Sequence, residues 1–145
     1  MAGKHNVLNC MLAIDVAKNL NVSLEEMQKG LNNLEATSMR LQLIKKENIT
    51  IINDCYNASP DSMKSSMDVL ATYSTKRKVA ILGDMYELGN ESEKAHFEVG
   101  KYAKDKVDYL VVIGQNNDNF KKGYEKENIK MYNTKEECIN DLSNI

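Results

Sequence analysis

The fold class is decided by residues 79–89, which read VAILGDMYELG. Four apolar residues run without interruption from Val79 to Leu82, and the run ends at Gly83-Asp84. A strand without a polar face is typical of a parallel sheet that is covered on both sides. We therefore expect a strand buried on both faces, with a polar loop at its carboxyl end.

The chain after this stretch alternates between helix and strand. A helix is expected from about Ser92, and 109–114 (YLVVIG) predicts the next buried strand. A short helix through Phe120, a weak strand at 129–132 and a helix capped by Thr134 follow. Such alternation predicts an α/β fold with a Rossmann-like, mainly parallel sheet flanked by helices.

Upstream of residue 79, the pattern predicts a hairpin and another helix. Two β-rich runs, 41–43 and 49–52, lie on either side of the polar turn Lys46-Glu47-Asn48. A polar loop then leads to Ser59 and Pro60, which favour the start of a helix. We expect that loop to lie at the carboxyl edge of the sheet, together with the loops after Leu82 and Ile113, where ligands of such sheets bind.

The first 36 residues are predicted to be helical. Apolar residues from Val7 to Ala17 recur at the spacing of one helical face. Ser23 and Glu26 then have the spacing of a capping box. We therefore divide the chain into an N-terminal helical segment, 1–36, and an α/β domain, 37–145.

Composition excludes several classes of protein. The chain has 145 residues and a formal net charge of −2, with 19 Lys and Arg against 21 Asp and Glu, so a nucleic-acid partner is not expected. It has no apolar run long enough to span a membrane and no signal-peptide pattern. Its three cysteines are far apart and odd in number, which is typical of reduced thiols. We expect a cytoplasmic monomer.

Several polar residues are candidates for binding, and each has a plain structural alternative. Asp54 could accept the hydroxyls of a ribose, or it could be a turn residue like Asn57 and Ser59. Asn6 and Asn9 could meet the edge of a purine, or they could cap a helix. Arg40 could bridge phosphate oxygens, or it could form a surface salt bridge.

The acidic loop after Leu82 is a further candidate. Asp84 and Glu87 could bind a cation or an amine, although two glycines around polar residues also describe an ordinary loop. The sequence lacks a phosphate-binding loop, a dinucleotide fingerprint and a serine nucleophile motif. His5 and His96 have no partner at metal-ligand spacing, so no metal ligand is assigned. No complete, self-sufficient active site is visible.

Taken together, these segments resemble the Mur ligases. The resemblance rests on G-x-H-N-x-x-N at 3–9, the lone Arg40, NDCYNASPDSM at 53–63 and LGDMYELG at 82–89, and it extends to about Gly114. It implies an ATP-dependent amide-bond ligase of peptidoglycan synthesis that joins D-alanyl-D-alanine to a UDP-N-acetylmuramoyl-tripeptide through an acyl phosphate. ATP and Mg²⁺ are the implied cofactors, with the magnesium ligands outside this sequence.

The resemblance also implies roles for individual residues. Asn6 and Asn9 match positions that hold the adenine, and Asp54 matches the carboxylate that binds the ribose. Arg40 matches an arginine that closes onto the phosphates and counts as the catalytic residue of this chain. In the family, the loop that contains Asn57, Ser59 and Pro60 lies near the incoming dipeptide, so these three residues are candidates for substrate binding.

The sequence departs from the family pattern in ways that affect activity. It lacks the domain that binds the UDP-sugar and most of the central ATP-binding domain, and it stops before the family's last strand and helix. Cys55 and Ser38-Met39 are smaller departures. We therefore expect the chain alone to be inactive and the helical segment to expose an apolar face. The alternative is a non-catalytic, Rossmann-like binding module that acts through a partner protein.

Overall fold

The computed structural model describes residues 4–34, 38–74 and 77–145. Gly3 of the N-terminal motif and residues 35–37, where the predicted helical segment ends, lie outside the described residues. The chain divides into two compact units, Met1–Tyr56 and Asn57–Ile145.

The first unit begins with the predicted pair of helices, α1 (Lys4–Asn19) and α2 (Leu24–Asn32). The capping box is confirmed, because Ser23 Oγ accepts from the Glu26 N–H at 3.3 Å and Glu26 Oε2 accepts from the Ser23 N–H at 3.1 Å. No residue of α2 is buried. The exposed apolar face predicted for this segment is confirmed, since Leu12 is 67% exposed and Leu24 is 81% exposed.

The predicted hairpin follows, with β1 (Gln42–Lys46) and β2 (Ile49–Asn53) paired antiparallel around a turn at 47–48. The two strands form a sheet of their own. β2 is thus not one of the strands of the described parallel sheet, and the expected place of the loop after Ile52 at the edge of that sheet stays a prediction. The short turn brings β2 back against β1, so β2 is hydrogen-bonded to β1 in an antiparallel ladder.

The second unit contains the α/β fold, and its sheet has the parallel order β3-β4-β5. The described elements in chain order are α3 (Pro60–Ala71), β3 (Val79–Gly83), α4 (Ser92–Ala103), β4 (Tyr109–Ile113), α5 (Asn117–Tyr124), β5 (Ile129–Tyr132) and α6 (Lys135–Asn140). Short 3-10 turns lie at Gly89–Glu91 and Leu142–Asn144. The predicted α/β class with a mainly parallel sheet is confirmed.

The strand that is buried on both faces is β4, which lies in the centre of the sheet. Leu110, Val111 and Val112 are all 0% exposed. The same expectation for Val79–Leu82 is wrong, because β3 lies at the edge of this sheet and its Ile81 is 50% exposed. Both runs are continuously apolar, and only the strand order distinguishes them.

The core of the second unit lies between the sheet and α3, α4 and α5. The core contains Met67 from α3, Val99 from α4 and Phe120 from α5. Gly100 and Gly123 let α4 and α5 approach closely, since a Cβ built on Gly123 would lie 2.0 Å from the Phe97 carbonyl oxygen. The predicted apolar stripe of α3 therefore serves as core packing.

Candidate functional site

Arg40 lies in a tight turn immediately before β1. Its neighbours Met39 and Leu41 both have left-handed backbones, with φ of 59° and 48°. This conformation is unfavourable for a bulky residue, by about 1–2 kcal/mol. Contacts elsewhere in the unit must therefore hold the turn in place.

The loop after β2 supplies those contacts. Asp54 Oδ1 accepts from the Leu41 N–H at 3.0 Å, and the Tyr56 N–H donates to the Met39 carbonyl at 3.1 Å. These bonds form because antiparallel pairing places Gln42 opposite Asn53, so the chain entering β1 and the chain leaving β2 meet. The two predicted residues Arg40 and Asp54 are thereby brought to one place, although they are far apart in sequence.

The Tyr56 ring lies against the side chain of Arg40. The guanidinium carbon is 4.3 Å from the ring centroid, within the range of a cation–π interaction. Sequence reasoning missed this residue as a partner of Arg40. Only its place in the string NDCYNASPDSM could have drawn attention to it, because the spacing of Arg40 and Tyr56 follows no helical or strand period.

Asn6 and Asn9 both lie on α1, three residues apart and therefore on one side of the helix. Asn6 is half-buried and Asn9 is exposed. The hydrogen bonds that join Arg40 and Asp54 through their loops do not involve either residue. The adenine role of Asn6 and Asn9 therefore stays a prediction.

The three residues predicted to lie near the dipeptide are in the second unit, at the start of α3. Ser59 is the N-cap of α3: its Oγ accepts from the Ser62 N–H at 3.2 Å, and its own N–H donates to Ser62 Oγ at 2.9 Å. Pro60 opens the helix. Asn57 is exposed, and its Oδ1 accepts from the Ala58 N–H at 2.9 Å. The turn and capping roles considered for Asn57 and Ser59 are thus present in the structure.

The acidic loop after β3 is tied to the loop after β4. Asp84 Oδ2 accepts from the Gln115 N–H at 2.7 Å, and its Oδ1 accepts from the Asn116 N–H at 3.1 Å. A Cβ on Gly114, whose φ is 137°, would lie 2.4 Å from the same carboxylate. Asp84 therefore joins the carboxyl ends of two neighbouring strands.

His96 fixes the other side of this loop and is fully buried. Its Nε2 accepts from the Met85 N–H at 2.9 Å, while its Nδ1 lies 2.7 Å from the Ser92 carbonyl oxygen. An acceptor at Nε2 and a carbonyl at Nδ1 require the neutral ring with its proton on Nδ1. The histidine of the sequence motif thus holds the LGDMYELG loop against α4.

A hollow of about 480 Å³ opens beside this loop region, at the carboxyl ends of β4 and β5. Its lining includes Gln115, Asn117 and Asp118. Asn117 is 9% exposed, and its Nδ2 donates to the Tyr132 carbonyl at 2.8 Å. None of the candidate residues predicted from the sequence lies here, because the hollow forms only where two strands and α5 meet.

Within the described ranges, no group of three His, Cys, Asp or Glu side chains is placed to hold a metal ion. Nor does any helix among the described residues have the length and apolar character needed to cross a membrane. Cys10, Cys55 and Cys138 are free thiols.

The sequence matches known proteins along most of its length. Residues 39–145 match the family described as "Mur ligase, glutamate ligase domain". The chain is 38% identical over 144 residues to the UDP-N-acetylmuramoyl-tripeptide--D-alanyl-D-alanine ligase of Bacillus subtilis, covering 94% of this chain and 32% of that protein. The enzyme of the same name from Escherichia coli is 37% identical over 117 residues, which cover 79% of this chain and 26% of that protein. The chain thus spans about a third of the length of these relatives or less.

Solved structures give the same result for the backbone. A crystal structure of MurF from Acinetobacter baumannii matches with a TM-score of 0.91 and 35% identity, over 99% of this chain and 31% of that one. MurF ligase from Thermotoga maritima, solved in complex with ADP, matches with a TM-score of 0.80 and 24% identity, over 99% of this chain and 32% of that one. The second match shows the shared fold alone.

Proposed function

The chain belongs to the Mur ligase family. From that membership we propose that it supplies the part of an ATP-dependent amide-bond ligase that closes over the bound nucleotide. The reaction proposed is the addition of D-alanyl-D-alanine to a UDP-N-acetylmuramoyl-tripeptide in peptidoglycan synthesis. The names of the relatives from Bacillus subtilis and Escherichia coli support this reaction.

The observation that carries the proposal is the meeting of the Arg40 turn with the Asp54 loop, through the 3.0 Å bond from the Leu41 N–H to Asp54 Oδ1. A carboxylate can accept both hydroxyls of a ribose. A guanidinium offers a planar fork of donors that matches two phosphate oxygens. Held on two segments that this bond joins, the two groups suit a nucleoside phosphate, with the sugar at Asp54 and the phosphates at Arg40.

The residues present fit a nucleotide in chemical terms. Asn6 and Asn9 supply amide donors and acceptors for adenine, Asp54 an anionic acceptor for ribose, and Arg40 a permanent positive charge. ATP, when bound, supplies the phosphoryl group that activates the substrate carboxylate. Arg40 then stabilises charge on the transferring phosphoryl group, as a closing arginine does in other phosphoryl transfers. Mg²⁺ belongs to the proposal as a family cofactor, and we assign it no residue here.

Further parts of the proposal rest on the family alone. Asn57, Ser59 and Pro60 are proposed to lie near the dipeptide. In this proposal the Ser59 hydroxyl caps α3 and does not itself bind the dipeptide. The division into a helical segment, 1–36, and a domain, 37–145, is retained. We further propose that the protein is cytoplasmic and monomeric. We also propose that the 145-residue chain alone releases no phosphate from ATP, since it contains no phosphate-binding loop.

A chimera tests the proposal. This chain would replace the aligned third of the Bacillus subtilis relative, and phosphate release would be measured against ATP and D-alanyl-D-alanine. We expect an active chimera in which Asp54→Ala raises the KM for ATP about tenfold and Arg40→Ala lowers kcat about a hundredfold or more.

Arg77→Ala is the matched control, because Arg77 is the other arginine of the chain and lies over the ring of Tyr109 in the second unit. Its kinetics should equal those of the unaltered chimera. Arg40→Ala with unchanged kcat would refute the assigned role, and a chimera without dipeptide-dependent turnover would favour the non-catalytic module.

A further inference from the structure

The Arg40 turn has an unusual construction for a surface segment. Two bulky residues, Met39 and Leu41, adopt left-handed backbones on either side of Arg40. The Met39 carbonyl accepts a hydrogen bond from the Tyr56 N–H, and the Leu41 N–H donates one to Asp54 Oδ1. The turn therefore fixes the direction in which the Arg40 side chain leaves the backbone.

Tyr56 supplies the remaining constraint on that side chain. Tyr56 is 61% exposed, so its ring does not fill a core. The centroid of the ring lies 4.3 Å from the guanidinium carbon of Arg40. The backbone N–H of Tyr56 donates to the carbonyl of Met39, the residue that precedes Arg40. Ring and guanidinium are thus fixed to the same three-residue turn.

We propose that Tyr56 is a positioning residue for Arg40. The ring holds the guanidinium over the Asp54 loop before the nucleotide arrives, so that less side-chain freedom is lost when Arg40 meets the phosphates. This inference rests on the role proposed for Arg40. It adds a residue whose ring, and not its hydroxyl, has the function.

The size of the effect follows from the strength of such contacts. A cation–π pair at an exposed site corresponds to a factor of about two to five in an equilibrium. In the chimera, we expect Tyr56→Leu to lower kcat by about that factor while the KM for the dipeptide stays the same. Tyr56→Phe keeps the ring and should restore kcat.

Two measurements separate this role from a general structural one. In the 145-residue chain, the NMR signal of the Arg40 Nε–H should show a ring-current shift that persists in Tyr56→Phe and disappears in Tyr56→Leu. In an Arg40→Lys chimera, whose ammonium lacks a planar face, Tyr56→Leu should have at most half its effect on kcat.

Failure of either expectation has a distinct meaning. An Nε–H shift that is the same in all three chains, or an equal loss of kcat in the Arg40 and Arg40→Lys backgrounds, would overturn the proposal for Tyr56. Full activity of Arg40→Ala would instead overturn the function proposed for Arg40, and the NMR shift would still decide whether the ring holds the guanidinium.

Discussion

The helix pair α1–α2 and the helix pair α4–α5 differ both in how their helices are capped and in how far they are buried. In α2, a complete capping box starts a helix without a single buried residue. In α4 and α5, the N-caps make no side-chain hydrogen bond, yet His96, Val99 and Phe120 are fully buried. Local signals therefore decide where a helix forms, while the surrounding elements of its unit decide whether its apolar face is covered.

The largest expected effect tests burial directly. Phe120 is 0% exposed and Leu12 is 67% exposed. We expect Phe120→Ala to lower the free energy of unfolding by about 3–5 kcal/mol, because it leaves a cavity in the core. Leu12→Ala should change it by less than about 0.5 kcal/mol. Urea unfolding followed by circular dichroism measures both, and a comparable loss in Leu12→Ala would mean that the α1 face is covered in solution.

A second pair of substitutions should have opposite signs in the two regions. Gly123→Ala places a Cβ 2.0 Å from the Phe97 carbonyl oxygen, whereas a Cβ on Gly30 of α2 meets nothing within 4 Å. Overpacking should cost about 1–3 kcal/mol at Gly123. Gly30→Ala should stabilise α2 by about 0.5–1 kcal/mol through helix propensity. Thermal melts of the two variants give the signs, and a stabilised Gly123→Ala would contradict the close approach of α4 and α5.

The two aspartates that follow strands give a third comparison. Asp84→Asn loses one of two charge-assisted bonds to the Gln115 and Asn116 N–H groups, at a cost of about 1.5–3 kcal/mol. Asp54→Asn should reduce amide-exchange protection chiefly at Leu41, because Asp54 Oδ1 accepts from the Leu41 N–H at 3.0 Å. Equal loss of β4 protection in both variants would show that the two carboxylates have the same structural role.

The smallest expected effect is a pH dependence of the second unit. Lys130, Tyr132 and Asn144 all donate to the Asp141 carboxylate, and these hydrogen bonds hold the pKa of Asp141 well below its usual range. A lowered folded-state pKa stabilises the protein above the unfolded pKa of about 4, and this stabilisation is lost as the pH falls through the folded value.

Asp141→Asn should therefore be less stable than the unaltered chain at pH 7, and the difference between their melting temperatures should shrink below about pH 4. Glu26→Gln is the counterpart in the first unit, where the Ser23 cap lowers the pKa of Glu26. It should affect only the helicity of α2. A difference for Asp141→Asn that stays constant from pH 7 to pH 3 would contradict the charged interaction.

Much of this architecture could be predicted from local rules. The Ser23 and Thr134 capping boxes, the hairpin turn at 47–48 and the start of α3 at Pro60 all agree with the structure, since each depends on residues within a few positions of one another. The order of the strands could not be predicted in this way. Ile81 and Val111 lie in runs of the same character, and only pairing across the sheet made one an edge residue and the other fully buried.

The candidate site shows the same limit. Arg40 and Asp54 could be selected as candidates from the sequence, because each residue type suits one part of a nucleotide and both positions belong to the resemblance to the Mur ligases. Their meeting, the left-handed turn and the stacking of Tyr56 required the hairpin register that joins the two ends of the segment. Asp84 shows the converse, since a carboxylate that suits a cation proved to bind two backbone N–H groups.

By itself, the sequence determined the class of fold and the positions of the helices, and it selected the candidate residues for nucleotide binding. These properties depend on hydrophobic periodicity, capping and side-chain type, all of which act over short distances along the chain. The tertiary structure alone decided which strand lies in the centre, which apolar helix faces are covered and which side chains meet at Arg40. Those outcomes depend on contacts between residues far apart in sequence, which no local pattern encodes.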